Sequence, residues 1–460
     1  MNETSSAEYA AGPTACMARP QVVRSIHRQI KEARALSLAD IRLARNMGLI
    51  AADVSRPVGF NDGVVYPPTE TPAPAAGLSA SPTRSAARAS ARGRLHALAL
   101  LVDFPDHPGT RPPAEFQKLL FDAGNPGSLT SYYAGVSGGA LTVTGEAVGY
   151  VRAPKPSPYY ANGASGTGDT FPANTPGLLA DALAAFCTRD TLARFDADGD
   201  GFVDGLFLVH AGGGAEAEPD PGRRANMIWS HKWTLPHPFA DHGVKVFAYS
   251  TAPEDGRVGV FCHEFGHVLG LPDLYDTSYR SSGVGQWCLM GGGSWLGSPA
   301  GSRPGRLGCW CLARLGWVAP TVVRRTAELT LPTLAHDPAA CYRVWTGGRD
   351  GPEYFLLENR QPVAQDAGLP GGGLAVWHVD ERQSGNTNPF AYQVGLVQAD
   401  GKKELERNVN QGNAGDLFPG AAAVTELGVA QTTANDGTPT GVALAAIREA
   451  DGVVTVRVEV

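Results

Sequence analysis

The 460-residue chain is 43% hydrophobic with a net charge of −7, enough apolar surface for two or three folded domains. Its Lys and Arg residues are scattered, so no electrostatic footprint for nucleic acid or an anionic membrane is present, and no apolar run approaches the roughly 20 residues of a spanning helix. Seven cysteines, an odd number in a long chain, argue against a dense disulfide scaffold.

The first twenty residues lack the charged and apolar regions of a secretory signal. Over residues 19–47, apolar positions such as Val22, Ile26 and Ile30 recur among charges at near-helical spacing, which predicts one or two amphipathic helices ending at Gly48. Residues 66–93 are rich in Pro, Ala, Ser and Arg, a composition that cannot bury enough apolar area to fix its conformation, and read as a linker. Beyond it, 95–102 reads as a strand, 113–120 and 178–187 as helices, and 141–144, 205–211, 227–231 and 244–249 as strands. Strands and helices so mixed predict an α+β domain over 94–318. From about Val318 short alternating strands with Gly and Pro turns predict a β-rich unit over 319–460. Cys309 and Cys311 flank Trp310 without a second pair at zinc-site spacing, so they read as small buried residues.

Two segments carry chemistry. In 259–273, GVFCHEFGHVLGLPD, His263 and His267 stand four apart, which on a helix puts both imidazoles on one face toward a single ion. Glu264 projects beside that ion, placed to take a proton from water and pass it to a leaving amine. Gly270 ends the helix in a left-handed cap and Pro272 prevents its resumption, so the chain returns Asp273 toward the ion. Three protein ligands leave a fourth position open, the mark of a catalytic zinc site. In 196–204, DADGDGFVD, the carboxylates of Asp196, Asp198, Asp200 and Asp204 alternate around a turn glycine, a pattern that suits calcium or a solvated acidic turn. The twelfth position is Phe207, so this is not an EF-hand. His210, His231 and His378 lie in strand-like runs and read as structural histidines.

The extended pattern His-Glu-x-x-His-x-x-Gly-x-x-Asp resembles that of metzincin zinc peptidases, and GQWCLMGGGSW over 285–295 resembles their Met-turn. More closely, FDADGDGFVDGLFLVHAG, IWSHKW, HEFGHVLGLPDLYDT, WCLMGGGSW, LGWV, EYFLLENRQ, LPGGGLAVWHVDE and VGLVQADG resemble, in this order of motifs and over about 95–420, the immune inhibitor A-type metallopeptidases. The resemblance implies a secreted, extracellular zinc endopeptidase acting on proteins or peptides, with a metzincin-like catalytic domain. Zinc would sit on His263, His267 and Asp273, with Glu264 as general base and Met290 beneath the metal. It implies a propeptide-like role for residues 1–65, a structural calcium in the acidic loop, and a second calcium-organised region around Asp400 and Asp416. By order, residues 227–232 are the candidate edge strand that receives substrate. The alternative is a catalytically silent, calcium-dependent binding protein on the same scaffold.

Overall fold

The computed structural model describes residues 16–19, 22, 59–65 and 91–460. Apart from Arg19 and Val22, the helices predicted over 19–47 lie outside the described residues, as does the linker up to residue 90.

The first sheet has the order β2-β1-β3-β5-β4, from β1 (Gly93–Asp103), β2 (Leu141–Arg152), β3 (Leu206–His210), β4 (His231–Asp241) and β5 (Val244–Pro253). All neighbours are parallel except the edge strand β4, which runs antiparallel to β5. The continuous apolar run in β1 is explained by burial on both faces. Ala97, Ala99 and Leu101 point to one core, with helix α1 (Leu129–Val136) and Phe261 and Phe265 of the histidine-bearing helix. Leu98, Leu100 and Val102 point to a second core beneath α2 (Thr175–Phe186). The period-two alternation of a strand divides one hydrophobic segment between two layers.

The strand expected at 227–231 is displaced. Residues 228–230 lie outside the sheet, and β4 begins at His231. The apolar residues Ile228 and Trp229 are buried, yet their backbone groups pair elsewhere: Ala215 N–H donates to Ile228 O, and Trp229 N–H donates to Ser165 O. The register of β4 against β5 shifts between Thr234 and Phe239, the stretch that holds Pro236 and Pro238, which donate no backbone hydrogen bond.

The β-rich C-terminal reading holds. One sheet has the order β11-β10-β9-β8-β6, from β6 (Thr321–Val322), β8 (Tyr342–Val344), β9 (Glu353–Arg360), β10 (Gly373–Asp380) and β11 (Val394–Leu396). A smaller one has the order β12-β13-β7, from β7 (Ala327–Leu331), β12 (Ala443–Ala450) and β13 (Val453–Glu459). Tyr354, Leu356, Ala375 and Trp377 join the α1 core of the first domain, whereas Phe355, Leu357, Leu374 and Val376 face the smaller sheet. The middle sheet therefore connects the two units through packing. Among the described residues no helix is long and apolar enough to cross a membrane.

Two buried histidines give this fold a pH dependence. Burial lowers His210 to about 4 and His231 to about 3. His231 is satisfied as a neutral ring, with Nδ1 2.7 Å from Trp229 O and Nε2 3.0 Å from Tyr249 Oη. Because the folded values lie below the unfolded one near 6.5, the unfolded chain takes up these protons first as pH falls. Their contribution is complete above about pH 6.5 and is lost on acidification, by a few kcal/mol by pH 4. Denaturant midpoints should fall between pH 7 and 5, and His210→Leu should flatten part of that slope; a variant slope equal to the parent's would remove His210 from the effect.

Candidate metal centre

Helix α3 (Val258–Val268) crosses the first core with its histidine-bearing face buried. Its end is fixed by a left-handed Gly270 (φ +100°), whose N–H donates to His267 O, and by Leu271 N–H donating to Gly266 O. These two bonds are the Schellman pattern, which consumes the last helical carbonyls while reversing the chain. The reversal places Asp273 against both histidines: its Oδ1 lies 3.2 Å from His263 Nε2 and 3.2 Å from His267 Nε2. All three side chains are buried, and their ligand atoms lie within 4.8 Å of one another.

The far side of each ring is tied to the backbone. His263 Nδ1 is 3.0 Å from Leu289 O, and His267 Nδ1 is 2.7 Å from Leu271 O. A carbonyl can only accept, so each Nδ1 carries hydrogen and each Nε2 lone pair faces Asp273 in the neutral ring, the tautomer a metal needs. Burial lowers both imidazoles; at His263 the Asp273 hydrogen bond and the Glu264 and Asp273 charges outweigh it and raise the value to about 9, whereas at His267 burial prevails.

Glu264 is wholly buried, and neither carboxylate oxygen has a hydrogen-bond partner among the described residues. Burial pushes its carboxyl well above the usual range, opposed first by His263. A buried acid left with two idle oxygens is costly unless something else occupies the site. The donor set of two imidazoles and a carboxylate, with His267 Nε2 also lacking a hydrogen bond, fits a zinc ion and its water. Met290 is buried beneath α3: its Sδ lies 2.6 Å from where a Cβ on Gly266 would stand. A Cβ at that position would require the Met290 side chain to shift, a close approach that the letter of Gly266 alone did not signal. Tyr275 stacks obliquely near His263, with ring centroids 6.2 Å apart.

The C-terminal unit supports this floor. Arg360, buried between Asp366 and Glu358, donates through Nη1 to Trp287 O at 2.7 Å, and Trp287 Nε1 donates to Asp416 Oδ2 at 2.9 Å. Asp416 is thus engaged in holding the Met290 segment. Arg360 and Asp416 lie 73 and 129 residues from Trp287 in sequence.

Residues 16–19 are held by hydrogen bonds to the catalytic domain. Cys16 N–H donates to Ser230 O at 2.7 Å, and Trp229 Nε1 donates to Cys16 O at 2.8 Å. Trp295 Nε1 donates to Met17 O, Ala18 N–H to Tyr279 Oη, and Arg19 N–H to Glu216 O, each at 3.0 Å. Burial raises the Cys16 thiol well above its usual value, assisted by the charges of Glu216, Glu264 and Asp273. Glu216, itself buried, accepts from Ser230 Oγ at 2.7 Å. On the other side Phe60 stacks on His231, and Lys232 Nζ bonds Asp62 Oδ1 and Val64 O, each at 3.0 Å.

In the acidic loop, Asp196, Asp198 and Asp204 bring one carboxylate oxygen each within 4.8 Å of the others. Asp200 is not among them; its Oδ1 accepts Phe202 N–H at 2.8 Å, as in an Asx turn. Asp204 also accepts from His96 N–H at 2.7 Å, and Asp196 Oδ1 is buried without a hydrogen-bond partner among the described residues. Phe207 is buried in β3.

Residues 87–315 match the family described as immune inhibitor A peptidase M6, catalytic domain. This chain carries an immune inhibitor A-like metallopeptidase domain. Immune inhibitor A of Bacillus thuringiensis subsp. alesti is 35% identical over 227 residues, 41% of this chain and 33% of that relative. The pre-pro-metalloprotease PrtV of Vibrio cholerae serotype O1 (strain M66-2) is 33% identical over 265 residues, 46% of this chain and 28% of that protein. The matches thus span a third or less of those relatives' lengths. The metallopeptidase domain so defined contains both histidines, Glu264, Asp273 and Met290, and ends just before the β-rich unit.

Proposed function

We propose that the chain is a secreted zinc endopeptidase that hydrolyses peptide bonds in proteins, with a metzincin-like centre on His263, His267 and Asp273. The observation that carries this reading is the convergence of three buried ligands beside a carboxylate whose two oxygens are idle. Zinc, when bound, would polarise the scissile carbonyl and acidify a water. Glu264 receives a proton from that water and delivers it to the departing amine. Leu289 O and Leu271 O hold the two imidazoles in the ligating tautomer, and Met290 fixes the level of the helix under them. The silent calcium-binding alternative leaves the Glu264 acid buried and unpaired with no use, and nothing favours it.

The test is metal analysis alongside peptide hydrolysis. Asp273→Ala removes a ligand and should leave little zinc after dialysis, with hydrolysis lost in proportion; wild-type zinc content and affinity would assign the third ligand elsewhere.

The acidic loop is proposed as a structural calcium site on Asp196, Asp198 and Asp204, with Asp200 shaping the turn. An ion bound by the folded state alone stabilises it by mass action. With zinc held constant, a calcium-selective chelator should lower the melting temperature by several degrees, and Asp198→Ala should abolish the difference. Superimposable melting curves for the parent protein would leave the loop an acidic turn.

A further inference from the structure

Resting on the zinc-peptidase reading, we infer that Asn386 is a positioning residue for the third metal ligand: its side-chain amide ties the carbonyl of Leu274, the residue after Asp273, to the edge strand β11 of the C-terminal unit. Its Nδ2 donates to Leu274 O at 2.6 Å and to Val394 O at 2.8 Å, and its Oδ1 accepts from Val394 N–H at 3.1 Å. Both hydrogens of the amide and its oxygen are used, and the two carbonyls with the one N–H settle which end of the side chain is nitrogen. Asn386 is 2% exposed and Leu274 1%. These bonds therefore form where water does not compete, and losing one leaves a buried group unpaired.

Leu274 is held through both of its peptide groups. Its N–H donates to Met290 O at 2.8 Å, which fixes the peptide plane that leaves Asp273. Its carbonyl accepts from Val284 N–H at 3.0 Å as well as from Asn386. The neighbouring chain leaves no room for drift: a Cβ on Gly283 would stand 2.3 Å from Leu274 O. Asp273 brings one oxygen to 3.2 Å from each imidazole Nε2, and a carboxylate is aimed only as well as the groups around it hold it.

The anchor of Asn386 is itself firm. Val394 opens β11 and pairs with Val379 of β10, and Gln393 N–H, donating to Gly385 O at 3.1 Å, closes the loop around Asn386. β10 in turn sends Ala375, Trp377 and Val379 into the core that holds Phe261 and Phe265 of α3. Other bonds cross the same seam: Arg280 Nη2 donates to Thr387 O at 2.9 Å, Asn408 Nδ2 to Tyr279 O at 3.0 Å and Ser282 N–H to Leu405 O at 2.8 Å. Those land on Tyr279, Arg280 and Ser282, farther along the chain, whereas Asn386 reaches the residue next to Asp273. A β-rich unit lying beyond the matched peptidase domain thus supports the metal centre directly.

The test is the zinc affinity of the full chain, measured without substrate by competition with a chromophoric chelator, together with the visible spectrum of the cobalt-loaded protein. Removing a partner that orients a metal ligand costs about 10–100-fold in affinity. Asn386→Ala should weaken zinc binding about tenfold, and Asn386→Asp, which turns a donor toward two carbonyls into a charged acceptor, about a hundredfold; both should alter the cobalt spectrum. Should either fail to fold, Asn386→Ser, which keeps one donor in a smaller side chain, carries the comparison and should move zinc affinity in the same direction. Val456→Ala, which opens a cavity in the core of the small sheet, should lower the melting temperature and leave both metal readouts at parental values. Parental zinc affinity and an unchanged cobalt spectrum in the folded Asn386 variants would overturn the inference, as would an equal loss of zinc affinity in Val456→Ala. A parent chain that binds neither zinc nor cobalt would instead overturn the metal-centre reading on which it rests.

Discussion

Glu264→Gln should retain zinc at wild-type occupancy and lose peptide hydrolysis by three or more orders of magnitude. The substitution keeps the volume of the side chain and leaves His263, His267 and Asp273 untouched, so the ligand set persists. What disappears is the buried group beside those ligands that can accept a proton and return it. General acid–base catalysis is worth about 10²–10⁴-fold, and activation of the attacking water is lost with it. The two idle oxygens of Glu264 make this a clean experiment, because no hydrogen bond among the described residues is broken by the change. The folded state should be as stable as the parent or more so, since an amide is cheaper to bury than an acid. A Glu264→Gln variant that kept a tenth of parental turnover with full zinc would transfer the base to another residue.

The cluster of His263, His267 and Asp273, with Glu264 beside it, was legible in the sequence because it is local. His263, Glu264 and His267 need only a helix, and Gly270 with Pro272 announces the turn that returns Asp273. The alternating acids of 196–204 were legible for the same reason, although the side chain of Asp200 turns to its own backbone. What fixes the ligands was not legible. The tautomers depend on Leu271 O and Leu289 O, backbone atoms that leave no letter in the sequence. Gly266 looks like a poor helix former until Met290 is seen beneath it, and Arg360 reaches Trp287 in the Met290 loop from a strand 73 residues away. The strand expected at 227–231 failed because apolar composition reports burial and not pairing: Ile228 and Trp229 are buried, but their partners are Ala215, Ser165 and Cys16 instead of a sheet neighbour. That residues 16–19 bond to Trp229 and Ser230 was not legible either.

That arrangement leads to the second large effect: the full chain should be latent, and cutting within residues 66–90 followed by release of the N-terminal part should raise turnover of an unstructured peptide about a hundredfold. Residues 16–19 already engage hydrogen-bonding groups at Ser230, Trp229, Trp295 and Tyr279. Residues 59–65 secure the other side through the buried Lys232, whose amine Asp62 keeps paired, and through Phe60 on His231. Joined to the catalytic domain, the segment has an effective concentration near the millimolar range, so contacts of about 10 μM intrinsic strength would hide the cleft about 99% of the time. Cys16 offers a sharper version. Burial holds the proton on its sulfur, assisted by the charges of Glu216, Glu264 and Asp273. A zinc ion on His263, His267 and Asp273 would favour the thiolate, and Cys16, which lies outside that cluster, would have to approach it to supply a fourth ligand. Cys16→Ser separates the two: if the thiolate ligates zinc, the uncut variant should gain much of the activity that nicking releases, whereas pure steric cover leaves it as latent as the parent. Equal turnover by the uncut chain and by one beginning near Ala91 would exclude both and make residues 16–65 a permanent part of the fold.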